Sequence, residues 1–341
     1  MDISVIGLGA WAIGGAEWRY GWGAQDDRES AATIRRAVEA GANWIDTAPV
    51  YGLGHSEELI GRTLAQISEA DRPFVFTKCG LVWDEDDRYA PPRRLMTPAN
   101  VRREVEDSLR RLGVDRIDLY QVHQPDDGNE DVWEEEAGPP SSTATPLEDY
   151  WQVMADLKAE GKVRAIGLSN HDSAALERAN RIAPVDAIQP MFSAISREAA
   201  AEISWADAHH TGVIVYQPMY SGLLSGEFSA ERVAALPAND WRRTDPQFTT
   251  ELDSNLAVAA TLRMVAAEHD VPAAAVAVAW ALAWPGVAGA IVGARRPDQV
   301  DVWLPAAALS LTEHDMSRIA ATISGAGAGG GPVRPPSGSR R

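Results

Sequence analysis

The sequence predicts an α/β fold of the (β/α)8 TIM-barrel type, with long loops on the C-terminal face of the barrel. Strand-like and helix-like segments alternate almost throughout the 341 residues. Eight strand–helix units follow one another, and no G-x-G-x-x-G signature marks an open dinucleotide-binding sheet. An open doubly wound sheet is the alternative architecture, and the unbroken count of units favours the barrel.

The predicted strands are short apolar runs, and several end in a polar residue. They cover residues 4–9, 42–46, 73–78, 116–122, 163–169, 185–190, 212–218 and 286–293. The helices between them carry apolar residues three and four positions apart, which is typical of a helix with one buried face. They cover residues 27–40, 57–65, 98–112, 150–161, 173–181, 197–209, 253–269 and 273–284.

Two insertions and a tail depart from this alternation. Residues 126–146 are acidic and rich in turn formers, which predicts a mobile loop, and residues 221–250 follow the seventh strand. Both emerge on the face where this fold places its active site. We therefore predict one barrel domain over residues 1–324. Residues 325–341, rich in Gly, Pro and Ser, are expected to be a disordered tail.

Composition restricts the classes of partner and the compartment. The chain has 45% hydrophobic and 23% charged residues, which is globular composition, and a formal net charge of −18. So acidic a surface argues against nucleic acid and anionic membranes as partners. The single cysteine, Cys79, excludes an internal disulfide, and we interpret it as a small core residue. No apolar run approaches the ~18 residues of a spanning helix, and we predict a cytoplasmic protein.

Four residues with acid–base chemistry lie at or just beyond the ends of successive strands: Asp46, Tyr51, Lys78 and His123. Singly, each has an ordinary structural explanation: a loop cap, a half-buried aromatic, a solvated amine and a core histidine. A parallel barrel, however, directs all of its strand ends into one mouth. There an ammonium, held by a carboxylate, is expected to lower the pKa of the phenol, which then gives its proton to a developing alkoxide.

Several sequence blocks resemble the aldo-keto reductase family. The blocks GLGAWAIGG, WIDTAPVYGLGHSEELIG, FTKCG, LRRLGVDRIDLYQVHQPD, GKVRAIGLSN, IQPMFS, YQPMYSGLLSG and IVGARRPDQV carry the resemblance, which runs from about Ser4 to Ile319. The block LRRLGVDRIDLYQVH resembles the bacterial and potassium-channel β-subunit-like branches in particular. The resemblance implies reduction of an aldehyde or ketone to an alcohol by hydride transfer. Tyr51 is then the general acid, Lys78 and Asp46 adjust its pKa, and His123 orients the carbonyl.

The same resemblance implies a nicotinamide cofactor and no metal, with NADP(H) preferred over NAD(H). Ser169, Asn170 and Gln189 correspond to the residues that hold the nicotinamide carboxamide, and Tyr216 to the ring on which nicotinamide stacks. The structural alternatives are a helix cap for the Ser–Asn pair and core packing for the tyrosine. Residues expected at the phosphates and adenosine are Leu223, Ser225, Gly226, Gly293, Ala294, Arg295 and Gln299.

The substrate is less well defined than the reaction. Trp11, Trp22 and Trp83 are candidate substrate residues, because an aromatic rim suits aromatic, hydrophobic or sugar-ring carbonyls. The expected partner is a small carbonyl compound or alcohol, and the sequence does not define an oligomeric state. Two other functions fit the same residues. One is an NAD-dependent sugar or alcohol dehydrogenase, and the other is a cofactor-binding regulatory subunit with little turnover, in which the acidic insertion docks a partner.

Overall fold

The computed structural model describes residues 1–126, 143–237 and 240–335. Eight parallel strands form a closed barrel in the order β1-β10-β9-β8-β7-β6-β3-β2. The predicted barrel is therefore confirmed, and the open-sheet alternative is wrong. The barrel strands are β1 (Ile6–Gly9), β2 (Trp44–Asp46), β3 (Phe74–Cys79), β6 (Ile117–Val122), β7 (Val163–Ser169), β8 (Ala187–Gln189), β9 (Gly212–Val215) and β10 (Val287–Gly293). A short antiparallel hairpin, β4 (Leu81–Val82) with β5 (Arg93–Arg94), follows β3.

The eight predicted helices are present in the predicted order, and the described residues contain three further helices that were not predicted. The helices are α1 (Asp27–Glu39), α2 (His55–Leu64), α3 (Pro98–Leu112), α4 (Leu147–Ala159), α5 (Ser173–Asn180), α6 (Ala200–Ala208), α7 (Ala230–Ala234), α8 (Leu252–His269), α9 (Ala273–Leu282), α10 (Pro297–Trp303) and α11 (Glu313–Ala326). Those that were not predicted are α7, α10 and α11. Their ends carry ordinary start and stop signals. Pro98 opens α3, for example, and Gly113 ends it in the left-handed conformation that glycine adopts without strain.

Internal contacts divide the chain into two compact units. The first contains Met1–Gln189 and Gly293–Pro297, and the second contains Pro190–Val292 and the described part of the segment that begins at Asp298. The first unit holds β1, β2, β3, β6, β7 and β8, and therefore the ends of all the strands that carry the four predicted acid–base residues.

The strand registers place the inner face of the first unit. Trp44 pairs with Phe74, and Asp46 pairs with Phe76, along the parallel strands β2 and β3. Because side chains alternate along a strand, Lys78 shares a face with Phe76, and Cys79 takes the opposite face. Cys79 contacts Met154 of α4 at 4.0 Å. Cys79 therefore faces the helix layer, and Lys78 faces the barrel interior.

The two insertions and the tail give mixed outcomes. Most of the acidic insertion, residues 127–142, lies outside the described residues. In its described residues, the insertion after β9 contains α7 and three short 3₁₀ turns. The tail prediction needs correction, because α11 continues to Ala326 and Ala328 is buried. The buried guanidinium of Arg197 requires acceptors, and it donates to the backbone oxygens of Ala328 and Gly329. Residues 336–341 lie outside the described part.

A search of the described ranges for membrane spans finds no single helix that is long and apolar enough. The pair Leu252–His269 and Ala273–Leu282 passes the criteria of length and composition together, with a bend of 99° between its members.

Candidate active site

The centre of the site is a buried ion pair. Lys78 Nζ lies 2.5 Å from Asp46 Oδ1, and the exposed fractions of the two side chains are 1% and 4%. Nζ also donates to the backbone oxygen of Thr47 at 2.9 Å. Neighbouring parallel strands β2 and β3 bring the pair together at their C-terminal ends, as predicted. Burial lowers the pKa of Lys78, whereas the nearby carboxylates, first Asp46 and then Glu57, act in the opposite direction.

Tyr51 lies beside this pair, in the turn before α2. Its hydroxyl is 3.5 Å from Lys78 Nζ, and the ammonium also lies 5.2 Å from the centre of the phenol ring. Burial, and after it the Asp46 carboxylate, raise the pKa of Tyr51 well above its ordinary value. This direction is opposite to the predicted lowering of the pKa. The ammonium is already neutralised by Asp46 at close range, so desolvation of the phenolate dominates.

His123 follows β6 and completes the group. It is buried, and its ring meets the Tyr51 ring edge to face, with 5.8 Å between ring centres. Burial, and after it the Lys78 ammonium, lower the pKa of His123 well below its ordinary value. The imidazole is therefore neutral near pH 7, and its N–H is a donor that can approach a carbonyl oxygen without adding a charge.

Two glutamines surround the second oxygen of Asp46. Gln189 Nε2 donates to Asp46 Oδ2 at 2.8 Å, and Gln121 Nε2 lies 3.4 Å from the same oxygen. Gln189 Nε2 also donates to Gln121 Oε1 at 3.1 Å. Gln189 was predicted as a cofactor residue, but Gln121 was missed. The available signal was its position two residues before His123, the spacing at which extended backbone directs side chains to the same side.

The Ser169–Asn170 pair is held in a defined conformation at the end of β7. Ser169 Oγ donates to the backbone oxygen of Gln189 at 2.8 Å. Asn170 has φ of 59°, and its Nδ2 donates to the backbone oxygen of His123 at 3.1 Å. The helix-cap alternative is wrong, because the side chain that caps α5 belongs to Asp172. The pair thus joins the ends of β6, β7 and β8.

His171 supports this turn from behind. Its Nδ1 lies 2.7 Å from the backbone oxygen of Ser169 and therefore carries the proton, and its Nε2 accepts from the hydroxyl of Tyr150 at 3.1 Å. Burial lowers the pKa of His171 to about 4, so the ring is neutral near pH 7. Sequence reasoning gave this residue no role.

Glu57 is a second buried group that sequence reasoning left without a role. It accepts from Thr77 Oγ1 at 2.6 Å and from Arg111 Nε at 2.7 Å, and its side chain is fully buried. Thr77 immediately precedes Lys78 on β3. In the sequence, Glu57 lies six residues after Tyr51 and directly after Ser56, and this proximity to Tyr51 was the available signal.

Arg295, predicted at the cofactor phosphate, is anchored to the loop between β1 and α1. Its Nε donates to Gln25 Oε1 at 2.8 Å, and its terminal nitrogens donate to the backbone oxygens of Trp22 and Ala24. Gln25 Nε2 returns a bond to the backbone oxygen of Arg295 at 2.9 Å. Gly293 has only distant neighbours, since a Cβ there would meet nothing closer than 3.8 Å. Ala294, between them, is buried.

Of the three candidate substrate tryptophans, Trp11 contacts the Tyr51 ring and Trp22 contacts Trp11. Trp11 stacks on Tyr51 with 6.2 Å between ring centres, and Trp22 meets Trp11 edge to face at 5.5 Å. Trp83 follows β4 and is partly buried. The role of these three residues in binding substrate stays a prediction.

The remaining predicted cofactor residues belong to the second unit. Tyr216 follows β9 and is partly exposed. Leu223 and Ser225 lie in a 3₁₀ turn that Gly222 and Gly226 bound, both in the left-handed conformation. Gln299 lies on α10 and is partly exposed. Their roles stay predictions.

The described residues offer no obvious metal centre, because no three His, Cys, Asp or Glu side chains among them are grouped so as to hold an ion. The charged groups at the centre of the site, Lys78 and Asp46, instead form an ion pair with each other.

Comparison with known proteins agrees with this arrangement. Residues 5–324 match the family model described as the aldo/keto reductase family. The chain is 32% identical over 322 residues to the aldo-keto reductase YhdN of Bacillus subtilis, with 94% of this chain and 89% of the relative covered. It is 30% identical to the NADH-specific methylglyoxal reductase of Escherichia coli, with coverage of 92% and 93%.

A solved structure gives the same result. The glycerol dehydrogenase of Gluconobacter oxydans is 33% identical and matches with a TM-score of 0.82, covering 99% of this chain and 96% of that one. The resemblance inferred from the sequence blocks is therefore confirmed. A closed parallel barrel, a model match over nearly the whole length and relatives above 30% identity lead to one conclusion: the chain belongs to the aldo/keto reductase family of oxidoreductases.

Proposed function

We propose that the protein reduces an aldehyde or ketone to an alcohol, with Tyr51 as the proton donor to the carbonyl oxygen. The observation that carries this proposal is the juxtaposition of the Tyr51 hydroxyl with the buried Lys78–Asp46 pair and the neutral His123 ring. Negative charge grows on the carbonyl oxygen during reduction. A phenol O–H and an imidazole N–H are donors that stabilise such a charge in a site that excludes water.

Each residue then has one role. His123 donates to the carbonyl oxygen and orients it, and Tyr51 transfers its proton to that oxygen. Lys78, held by Asp46, stabilises the phenolate that remains until Tyr51 regains a proton from water. Because the pKa of Tyr51 is raised, the phenol keeps its proton near pH 7.

The residues of the first unit fit a nicotinamide cofactor. Gln189 has a side-chain oxygen in addition to its engaged nitrogen, and the backbone that bears Ser169 and Asn170 is fixed by the ends of three strands. These residues would hold the nicotinamide carboxamide. A reduced nicotinamide, when bound, supplies the hydride that adds to the carbonyl carbon.

We propose NADPH as the preferred form of the cofactor, with Arg295 as the residue that meets its 2′-phosphate. The guanidinium is held in place by Gln25 and by two backbone oxygens, and a fixed planar guanidinium suits a phosphate. The opposing observation is the similarity to an NADH-specific methylglyoxal reductase. The cytoplasmic location and a small carbonyl substrate, predicted from composition and resemblance, belong to the same proposal.

The replacement Tyr51→Phe tests the proton donor. We expect carbonyl reduction, followed at the absorbance of the reduced cofactor, to fall by about 10³-fold, while cofactor affinity stays close to the wild-type value. Tyr120→Phe is a matched control, because Tyr120 is a buried tyrosine on β6 outside the group. If Tyr51→Phe retained activity within a few-fold of the control, Tyr51 would not be the donor.

Titration of tryptophan fluorescence with NADPH and NADH tests the cofactor preference. We expect wild type to bind NADPH more tightly, and Arg295→Ala to lose about tenfold in affinity for NADPH with a smaller loss for NADH. Equal losses for the two cofactors would show that Arg295 only anchors the first loop.

The similarity to a glycerol dehydrogenase favours a second candidate, oxidation of a polyol or sugar alcohol in the reverse direction. Rates measured in both directions on the same substrate pair distinguish the two. A value of kcat/KM for the alcohol above that for its carbonyl at pH 7 would reverse the proposal.

A further inference from the structure

Gln121 lies between the acid–base group and the predicted cofactor residue Gln189. Its side chain is fully buried, and its two polar atoms reach different partners: Nε2 approaches Asp46 Oδ2 at 3.4 Å, and Oε1 accepts from Gln189 Nε2 at 3.1 Å. Gln189 Nε2 makes the shorter bond to Asp46 Oδ2, at 2.8 Å. The three side chains thus form a closed triangle of hydrogen bonds inside the barrel.

The chemistry of Asp46 fixes how both amides are turned. An ionised carboxylate only accepts hydrogen bonds, so the atom that each glutamine presents to Asp46 has to be its NH2 group. Gln121 then points its oxygen at Gln189. An amide nitrogen has two N–H donors, and in Gln189 one goes to Asp46 and the other to Gln121. The only other polar atom of the Gln189 side chain is Oε1, which is an acceptor.

We propose that Gln121 is a positioning residue that locks the Gln189 amide, so that Gln189 Oε1 faces the NH2 group of the nicotinamide carboxamide. This inference rests on the proposed function, in which Gln189 contacts that group. An acceptor at this place can bind the NH2 group of the carboxamide, but it forms no hydrogen bond with the carbonyl oxygen. Gln121 therefore acts on cofactor recognition through Gln189 without touching the cofactor.

The arrangement also explains what the second glutamine adds. Gln189 alone can contact the Asp46 carboxylate, but its amide has a second N–H that needs an acceptor. With Asp46 as its single partner, the Gln189 amide keeps one unpaired N–H in a buried place, and it gains by rotating toward any other acceptor. The oxygen of Gln121 satisfies that N–H. Burial makes an unsatisfied donor costly, so the triangle defines one orientation of Gln189.

An analogue of the dinucleotide in which an acetyl group replaces the carboxamide provides the test. It keeps the carbonyl oxygen and carries CH3 where the NH2 group stands. Dissociation constants of the oxidised natural dinucleotide and of the acetyl analogue are measured by fluorescence quenching for wild type and for Gln121→Met, which conserves length and removes both polar atoms. Gln121→Leu serves as the second variant should the first not purify as a folded protein.

We expect wild type to prefer the carboxamide form, and Gln121→Met to lose about tenfold of that preference, which corresponds to one buried hydrogen bond. A merely structural role would weaken both ligands by the same factor. Gln189→Leu is the matched control: it is expected to abolish the preference, and adding Gln121→Met to it is expected to change the ratio no further.

Two outcomes overturn the inference in distinguishable ways. An unchanged preference in Gln121→Met, with both ligands still bound, shows that Gln121 does not set the orientation of Gln189, and the proposed function is untouched. Failure of wild type to bind either dinucleotide overturns the proposed function and this inference with it.

Discussion

Strand β3 separates two buried carboxyl groups whose surroundings differ. On its inner side Asp46 faces the Lys78 ammonium and receives two further N–H donors from glutamines. On its outer side Glu104 of α3 accepts from the backbone N–H of Gly80 at 2.9 Å and from Asn100 Nδ2 at 2.8 Å. Burial raises the pKa of Glu104 to about 8, so this acid is mostly protonated at pH 7.

The difference shows how one strand supports both chemistry and packing. The inner carboxylate pairs with a cation, and two amide donors approach its second oxygen. The outer group accepts from two neutral donors, the Gly80 N–H and the Asn100 amide, and burial raises its pKa. A buried acid is therefore not by itself evidence of an active site, and the partners of the acid decide its role.

The largest effect is expected from breaking the inner pair. Lys78→Met leaves a buried carboxylate without its cation, which we expect to reduce the free energy of unfolding by about 3 kcal/mol and to remove nearly all carbonyl reduction. Urea unfolding at pH 7 and the reductase assay measure the two effects.

The double replacement Asp46→Asn with Lys78→Met is the control for the inner pair. It removes the isolated charge, so stability is expected to recover in part while activity stays lost. If Lys78→Met left stability unchanged, the pair would not be buried as described.

A smaller effect is expected on the outer side, from Glu104→Gln. The folded-state pKa of Glu104 is raised to about 8, so the folded protein retains a proton that the unfolded chain releases near its ordinary value. The contribution of Glu104 to wild-type stability is therefore lost as pH rises from about 4.5 to about 8, and the glutamine variant has no such loss. We expect the two proteins to be equally stable at pH 5 and the variant to be more stable at pH 9, by a few kcal/mol at most. Thermal unfolding at both pH values measures the difference.

Glu106→Gln on the same helix is the matched control for Glu104. Its side chain is 53% exposed and pairs with Lys162, so its effect on stability is expected to stay below about 1 kcal/mol at either pH. Reductase activity of both variants is expected to stay close to wild type at pH 7. Parallel pH dependence of wild type and Glu104→Gln would show that Glu104 does not titrate as described.

Much of the architecture could be predicted, because short apolar runs indicate the strands and apolar residues three and four positions apart indicate the helices. Eight strands were placed from apolar runs, and the positions of Asp46, Lys78 and His123 at strand ends followed. The pKa of Tyr51 could not be predicted, since the residue type indicates an ammonium nearby but not how completely Asp46 neutralises it. That balance depends on distances of 2.5 and 3.5 Å, which appear only when the strands are assembled.

Gln121 and Arg295 show the same limit. Gln121 lies in a predicted strand, and nothing in its neighbourhood along the chain announces that Gln189, on another strand, turns its amide toward it. Arg295 was predicted from family resemblance to meet a phosphate, but Gln25 and the backbone of the first loop were not foreseen as its partners. Contacts between residues far apart in sequence have no local signature.

Two residues before Asp46, on the same face of β2, lies a buried indole ring. Trp44 is fully buried, stacks on Phe76 at 5.1 Å and donates from Nε1 to the backbone oxygen of Ser4. Its ring occupies the space next to Gly7, where a Cβ would approach the indole carbons to 2.2 Å. A residue larger than glycine at position 7 therefore requires a side chain smaller than tryptophan at position 44. Homologous chains are expected to exchange bulk between these two sites as a correlated pair.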